Sequence, residues 1–416
     1  MASTEVRPLN VIVVGAGIGG LAVAAALRKA GHIVDVYESS EIKTEIGAGV
    51  GMQTNAVRVL KFLGFKRENL KGSVFDWMTI HNAETAESNQ HPTRNWEALK
   101  NEGIENLSCH RSDLHAELRR LATEEGRLNG PPARLHLGNK VVSCDANAAS
   151  ITLSGGQTVA SDVVIGADGV HSIVRTSVIG QDVQAVPTGW ACYRCLFDAS
   201  KIEEHPEDNW AINNLNNVRL EGSQLSEYII YGVRDKTLVN FVAFHTDPER
   251  DPKSPIAQPV SKEAVLERYP AFHAKFLRLF DLPLTTPIIR WQLRAMPLLQ
   301  TWVKGRTVIM GDAAHATLPL LAQGAAMAIE EAGCLGILFP SGTTPAQVPE
   351  RLAAFETLRK ERGDWVNQQS VAQADPENRV QFTKNADFRA YLTDFDAIKA
   401  SQDYFDTHFG PRASPV

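Results

Sequence analysis

Three glycines near the start of the chain, Gly15, Gly17 and Gly20 in the run GAGIGG, stand at the spacing that holds a dinucleotide. The first permits a tight turn, the second lets a pyrophosphate approach the backbone, and the third lets a helix pack closely on a strand. A helix opening here points its free N–H groups and positive dipole end at the phosphates. Glu38 follows roughly 20 residues on, where a carboxylate grips ribose hydroxyls. A carboxylate suits an unphosphorylated adenosine ribose, as in NAD or FAD, better than that of NADP. Two further segments join glycine to aspartate: GADGVHSIVR, with Asp168 and Gly169, and GDAAHATLPLLAQGAAMAIEEAG, with Asp312. Late in the second, Gln323 precedes Gly324, Ala325 and Ala326, residues small enough to admit a flat ring at a helix start. That helix end carries about half a positive charge and favours a nearby anion by about 0.3–1 kcal/mol.

These residues need elements to hold them. An apolar strand over 11–14, the glycine turn, an alanine-rich helix over 21–30, Gly31 and a second strand over 33–37 make one βαβ unit. A third strand over 163–165 ends in GADG and a fourth over 307–310 ends in GDAAH. Both put glycine and aspartate at a strand's C-terminal end, where ligands sit in open parallel sheets. Between 186 and about 286 the texture turns to β-prone runs such as WACYRCLF, SEYIIYGV and TLVNFVAF, separated by polar stretches. A second, sheet-based domain is therefore expected inside the first. Helical pattern returns over 324–339 and 349–365, and the stretch from about 374 shows no clear periodicity. The expected class is α/β: a Rossmann-like cofactor domain from 1–75, 99–182 and 287–372, an inserted β-sheet substrate domain from 76–98 and 183–286, C-terminal helices, and a tail over 373–416.

Composition narrows the partner. The 416 residues are 44% hydrophobic and 22% charged, with a formal net charge of -6 and no long Lys/Arg run. That argues against nucleic acid or an anionic membrane as partner and for a small molecule. The apolar stretch over 11–27 holds four glycines and falls short of the roughly 20 residues that span a bilayer, so no membrane span is expected. Five cysteines make no disulfide framework and point to a reducing, cytoplasmic compartment. Cys192 and Cys195 form a CxxC, yet three residues apart on a strand they face opposite ways. Twelve histidines include no HExxH, and no metal site is expected.

In this order, GAGIGG, GADG and GDAAH resemble the motifs of the group A flavoprotein monooxygenases, the family of salicylate hydroxylase and para-hydroxybenzoate hydroxylase. The likeness covers the cofactor domain at both ends of the chain and leaves the middle less constrained. It implies a GR2-type fold with FAD as cofactor. Asp312 then binds the ribitol chain, and Asp168 and Gly169 serve FAD and NAD(P)H. Arg111, followed by Ser-Asp-Leu, resembles the arginine helix that contacts the flavin's phosphate and ribityl region. The run IGAGVGMQTNA resembles a glycine-rich loop beside the ring, making Gly51 a candidate contact, although Thr54 stands where a proline is often found. Gly324 and Ala325 would border the pyrimidine edge, whose reduced, anionic form a helix N-terminus favours. With no second GxGxxG unit, NADPH or NADH is expected as a transient co-substrate. The activity implied is hydroxylation of a small aromatic substrate with dioxygen through a flavin C4a-hydroperoxide.

Hydroxylating a phenol is easier if it is held as phenolate, which calls for a cation in the pocket. Arg194 lies in an otherwise apolar, aromatic strand and is costly to bury unpaired. It is the first catalytic candidate and Tyr231 the second; both resemble positions of substrate-activating residues in phenol hydroxylases of the family. A structural salt bridge and a core-edge tyrosine are the alternatives. His315 is expected to brace its turn, and Tyr193 to face away from Arg194. Other functions stay open: epoxidation of an isoprenoid alkene, decarboxylating hydroxylation of a salicylate-like acid, or a non-catalytic nucleotide-fold binding protein, against which Glu38, Asp168 and Asp312 argue. A halogenase is disfavoured by the lack of WxWxIP. A homodimer is open as the oligomeric state.

Overall fold

The computed structural model describes residues 7–41, 48–74, 77–92, 102–212, 217–221, 227–247, 253–374 and 386–410. The strands that frame the site are β1 (Asn10–Val14), β2 (Ile33–Tyr37), β3 (Gly49–Met52), β4 (Trp77–Asn82), β5 (Leu107–His110), β6 (Arg134–His136), β7 (Val163–Gly166), β8 (Val186–Asp198), β9 (Asn217–Glu221), β10 (Glu227–Val233), β11 (Leu238–Thr246), β12 (Ala257–Val260), β13 (Ile288–Ala295) and β14 (Thr307–Ile309). The helices are α1 (Ile18–Lys29), α2 (Thr54–Leu63), α3 (Arg111–Thr123), α4 (Ile173–Ile179), α5 (Gly324–Leu338), α6 (Val348–Ala372) and α7 (Ala397–Phe409).

The cofactor half is a six-stranded sheet in the order Val303–Lys304, β14, β7, β1, β2, β6, parallel except at its Val303–Lys304 edge. The uninterrupted apolar runs of β1 and β7 fit strands buried on both faces. Val11 pairs with both Val163 and Val34, and Ile165 with Val308, so the C-terminal ends of β1, β7 and β14 lie side by side. All four strands expected from sequence are present. Helix α1 packs on α5 through small residues: a Cβ on Gly19 would stand 3.2 Å from the Ala328 Cβ, and one on Gly336 2.9 Å from that of Ala26.

The substrate half is an eight-stranded sheet in the order β12, β13, β8, β11, β10, β9, β4 and Ser88–Pro92. Strand β13 corrects the domain limit expected at 286. It pairs with β8 and β12, and Trp291 and Leu293 extend the apolar face of β8, so the chain crosses this sheet once more before rejoining the cofactor half. One face of the sheet covers its own core, including Tyr193, Cys195, Phe197, Tyr228 and Phe241; the other carries Trp190, Cys192, Val242 and Phe244 against Leu318 of the cofactor half. The tail that lacked a readable period holds the helix Ala386–Thr393 and α7. In α7 only Ala397, Ser401 and Phe405 are buried, a stripe too narrow to stand out from its polar neighbours. Parts of the expected segments, including 42–47, 93–98 and 375–385, lie outside the described residues. Among the described residues no helix is long and apolar enough to cross a membrane.

Candidate active site

Gly15 takes φ +99°, and a Cβ there would stand 2.4 Å from the Ala167 carbonyl oxygen, so the first glycine turn abuts the GADG segment. Gly20 is tighter still, since its Cβ would fall 1.9 Å from the Gly15 carbonyl oxygen. A Cβ on Gly17 or Gly169 would meet nothing within 4 Å, which leaves room for a ligand against the backbone. The Glu38 carboxylate, at the end of β2, accepts from the Ala16 N–H at 2.9 Å, the Ser40 N–H at 2.8 Å and the Ser39 hydroxyl at 3.1 Å. Burial pulls its pKa up, but these donors together hold it below its ordinary value, keeping a carboxylate beside the glycine turn.

Asp168 spends its side chain on its own turn: Oδ1 accepts from the Ser172 hydroxyl at 2.5 Å, and Oδ2 from the N–H groups of Ile173 at 2.8 Å and Val174 at 3.2 Å. Burial nonetheless raises its pKa. Two residues absent from the expected set tie this motif to its neighbours. Arg175, fully buried, donates to the carbonyls of Val170, Val183 and Ala313, the last at 3.0 Å and inside the GDAAH turn. Glu331, from α5, accepts from the Gly311 N–H at 2.7 Å and from His315 Nε2 at 2.6 Å. His315 thus braces the turn as expected. Asp312 is reachable by water, and its pKa is raised by the protein packed around it, against the pull of His315 and Arg111.

Arg111 opens α3, and its N–H donates to the Ala48 carbonyl at 3.0 Å. Burial lowers its pKa, Asp312 acts to raise it, and Arg194 acts to lower it further, so three expected site residues share one neighbourhood. His115, one turn on, donates from Nε2 to the Ala16 carbonyl at 2.7 Å and pins α3 to the glycine turn. The strand β3 brings Gly51 opposite the entrance to α5, where a Cβ would lie 3.8 Å from the Ala322 Cβ. Gly324 and Ala325, both half-buried, form the first turn of α5. Gly49, which sequence reasoning passed over, touches the substrate side: its N–H donates to Asn240 Oδ1 at 2.6 Å.

On the substrate side, Arg194 pairs across the sheet with Val242 and Ile289, and Tyr231 with Asn240. Strand alternation puts Arg194, Tyr231, Cys192 and Trp190 on the face toward the cofactor half, with Tyr193 and Cys195 on the other. No ion pair reaches Arg194 among the described residues, and its buried Nε has no hydrogen-bond partner, which removes the salt-bridge alternative. Burial pushes the Tyr231 hydroxyl well above its ordinary pKa, and Arg194 opposes that rise. The site thus offers open backbone at Gly17, a carboxylate at Glu38, an accessible Asp312 and, on the apolar sheet face, a guanidinium at Arg194 that no carboxylate among the described residues meets.

A family model described as an FAD binding domain matches residues 8–370. Hispidin-3-hydroxylase of Neonothopanus nambi is 37% identical, covering 98% of this chain and 98% of its own. The FAD-dependent monooxygenase cfoG of Aspergillus candidus is 33% identical over 95% of this chain and 90% of its own. The chain belongs to the FAD-dependent monooxygenases. A solved salicylate hydroxylase substrate complex superimposes on this monooxygenase with a TM-score of 0.77 at 24% identity, covering 95% of this chain and 98% of that one. The structure of CtdE with FAD and substrate gives a TM-score of 0.79 at 22% identity, covering 96% and 98%. The monooxygenase therefore takes FAD as its cofactor, in a Rossmann-type α/β fold carrying a sheet-rich substrate domain.

Proposed function

We propose that the chain hydroxylates a small phenolic or aromatic-acid substrate, using NADPH or NADH as reductant and dioxygen as the oxygen source. Gly15, Gly17 and Gly20 cradle the pyrophosphate of FAD, Glu38 its ribose, and Asp312 with Arg111 its ribityl and phosphate region. Asp168 and Gly169 shape the adjoining turn, while Gly51, Gly324 and Ala325 border the ring. When bound and reduced, FAD supplies the activation of dioxygen and delivers the oxygen atom. The protein orients the ring to be attacked and keeps water away, through the apolar face of Trp190, Cys192, Val242, Phe244, Trp291 and Leu293. Cysteines that are all free agree with work in a reducing cytoplasm.

The observation that carries this reading is Arg194, a guanidinium with no carboxylate partner, set in an apolar face within range of Tyr231 and Arg111. A phenolate or carboxylate is the partner it lacks, and a neutral isoprenoid alkene would leave it unmet, which favours hydroxylation over epoxidation. Tyr231, kept protonated by burial, would donate a hydrogen bond to the same oxygen. The named substrates of relatives, hispidin and 6-hydroxynicotinate, both make suitable test compounds. With such a substrate, Arg194→Ala is expected to lower kcat/KM for oxygenated product by roughly 30-fold or more while FAD stays bound. NAD(P)H consumption is followed in parallel, because uncoupled turnover yields peroxide. Product formation at the wild-type rate in this variant refutes the assignment.

A further inference from the structure

Behind the ring-facing wall lies a buried polar chain that none of the cofactor motifs requires. Gln323, the residue before α5, is fully buried, and its Nε2 donates to Gln53 Oε1 at 2.8 Å; Gln53 Nε2 in turn donates to the Leu321 carbonyl at 3.2 Å. Asn55 Nδ2, from α2, donates to Gln323 Oε1 at 2.9 Å and to Glu330 Oε1 at 2.6 Å. Gln323 and Glu330 are seven positions apart, so they share one helix face about 10.5 Å apart along the axis. Asn55 bridges that gap from outside. Glu330 also accepts from Arg359 Nη2 at 2.5 Å and from Arg362 Nε and Nη2, both at 2.8 Å. Arg362 then donates to the carbonyls of Tyr391 at 2.6 Å and Leu392 at 3.0 Å. Thr54 and Arg58, flanking Asn55, donate to the Thr393 carbonyl, at 2.7 and 3.4 Å.

Asn55, Gln323, Glu330, Arg359 and Arg362 at its centre are buried, so each bond lost there leaves an unpaired donor or acceptor in a poorly solvated place, which is what makes such a chain rigid. Its two ends are the Gln53 loop with the α5 entrance on one side, and the C-terminal segment on the other. We propose that Asn55 and Glu330 are positioning residues for the flavin, fixing the Gln53 loop against the first turn of α5 and making that fit depend, through Arg362, on the segment around Tyr391 and Leu392. The C-terminal segment thereby gains a role in the cofactor site, which it meets at Thr54 through the Thr393 carbonyl and at Arg362 through the Tyr391 and Leu392 carbonyls. This rests on FAD binding and not on the choice of substrate.

The test uses holoenzyme without substrate, so failure of the hydroxylation reading leaves it intact. Asn55→Ala, Glu330→Gln and Arg362→Lys are compared with wild type for FAD Kd, visible circular dichroism of the bound flavin, flavin midpoint potential, and protease sensitivity of the C-terminal segment. Asn55→Ala is expected to fold, to weaken FAD by roughly tenfold through the lost buried bonds, and to alter the flavin dichroism. Arg362→Lys keeps the charge but not the fork, so it is expected to open the C-terminal segment to protease and shift the flavin signals in the same direction. Variants that lose thermal stability while Kd, dichroism and potential stay at wild-type values overturn the proposal. An exposed C-terminal segment with an unchanged flavin overturns its link to the site.

Discussion

A methyl group on Gly49 would stand 2.5 Å from Tyr231 Cε2 and 2.8 Å from both the Tyr231 hydroxyl oxygen and Asn240 Cγ, nearer than non-bonded carbons approach. Gly49→Ala must therefore push Tyr231 or β3 aside. It is expected to cost about 1–3 kcal/mol of stability and to lower kcat/KM, whereas Gly17→Ala, whose added carbon meets only open space in the unliganded protein, is expected to leave apo-protein stability nearly unchanged while weakening FAD. Denaturant midpoints beside kinetics check this, and a Gly49→Ala enzyme with wild-type kcat/KM would sink it. Such contacts also explain what the sequence made legible. Gly15, Gly17, Gly20 and Glu38 announce themselves because a turn and the next strand set their spacing locally. Gly49 meets Asn240 from 191 positions away and His115 meets Ala16 from 99, so neither spacing carries a signal. Arg194 stands out in the sequence through its mismatch with an apolar strand, a cue that needs no partner.

Helix α5 works on both sides, with Glu330 turned to the arginines and Glu331 to the Gly311–His315 turn. Burial lowers the His315 pKa, but the Glu331 carboxylate outweighs this and raises it above its ordinary 6.5. A raised value means that folding favours the protonated form. The stabilisation is complete below about 6.5 and is lost as pH climbs through the folded-state value, with a slope of at most about 1.4 kcal/mol per pH unit. His315→Asn is expected to remove that alkaline loss, measured as unfolding free energy from pH 5 to 9; an identical slope in the variant would exclude the assignment. Glu330 behaves oppositely: burial pushes it up, yet Arg362 and Arg359 hold it down at about 2, so its contribution persists above 4.5 and fails only as pH falls toward 2. The helix itself was visible in LAQGAAMAIEE, since small residues over two turns mark close helix packing. Its two acids were not, because a glutamate pair in sequence looks like a solvated face.

At the scale of the whole molecule, the glycine turn, the GADG and GDAAH turns and α3 converge through the Gly15–Ala167, Arg175–Ala313 and His115–Ala16 contacts, and the proposed FAD site lies among them. Ligand binding to the folded state alone stabilises by mass action, about 2.7 kcal/mol at a free concentration of 100 Kd. Tm should therefore rise with added FAD and fall when flavin is stripped, as thermal scans over an FAD titration would show; a Tm indifferent to FAD would contradict a cofactor held by these loops. The two-part architecture was readable from the change of texture near Val186, but the limit at 286 was not, because β13 resembles its neighbours in either half and only pairing decides its sheet.

The cofactor half is assembled from both ends of the chain. His32 Nε2 meets the Phe339 carbonyl across 307 positions, and Thr54 reaches Thr393 across 339. During synthesis the N-terminal βαβ unit leaves the ribosome long before α5 exists to cover it, and its apolar faces wait meanwhile. Nascent chains of this enzyme should depend on chaperones until the last helices emerge, and premature stop codons even late in the reading frame should yield aggregates instead of trimmed enzyme.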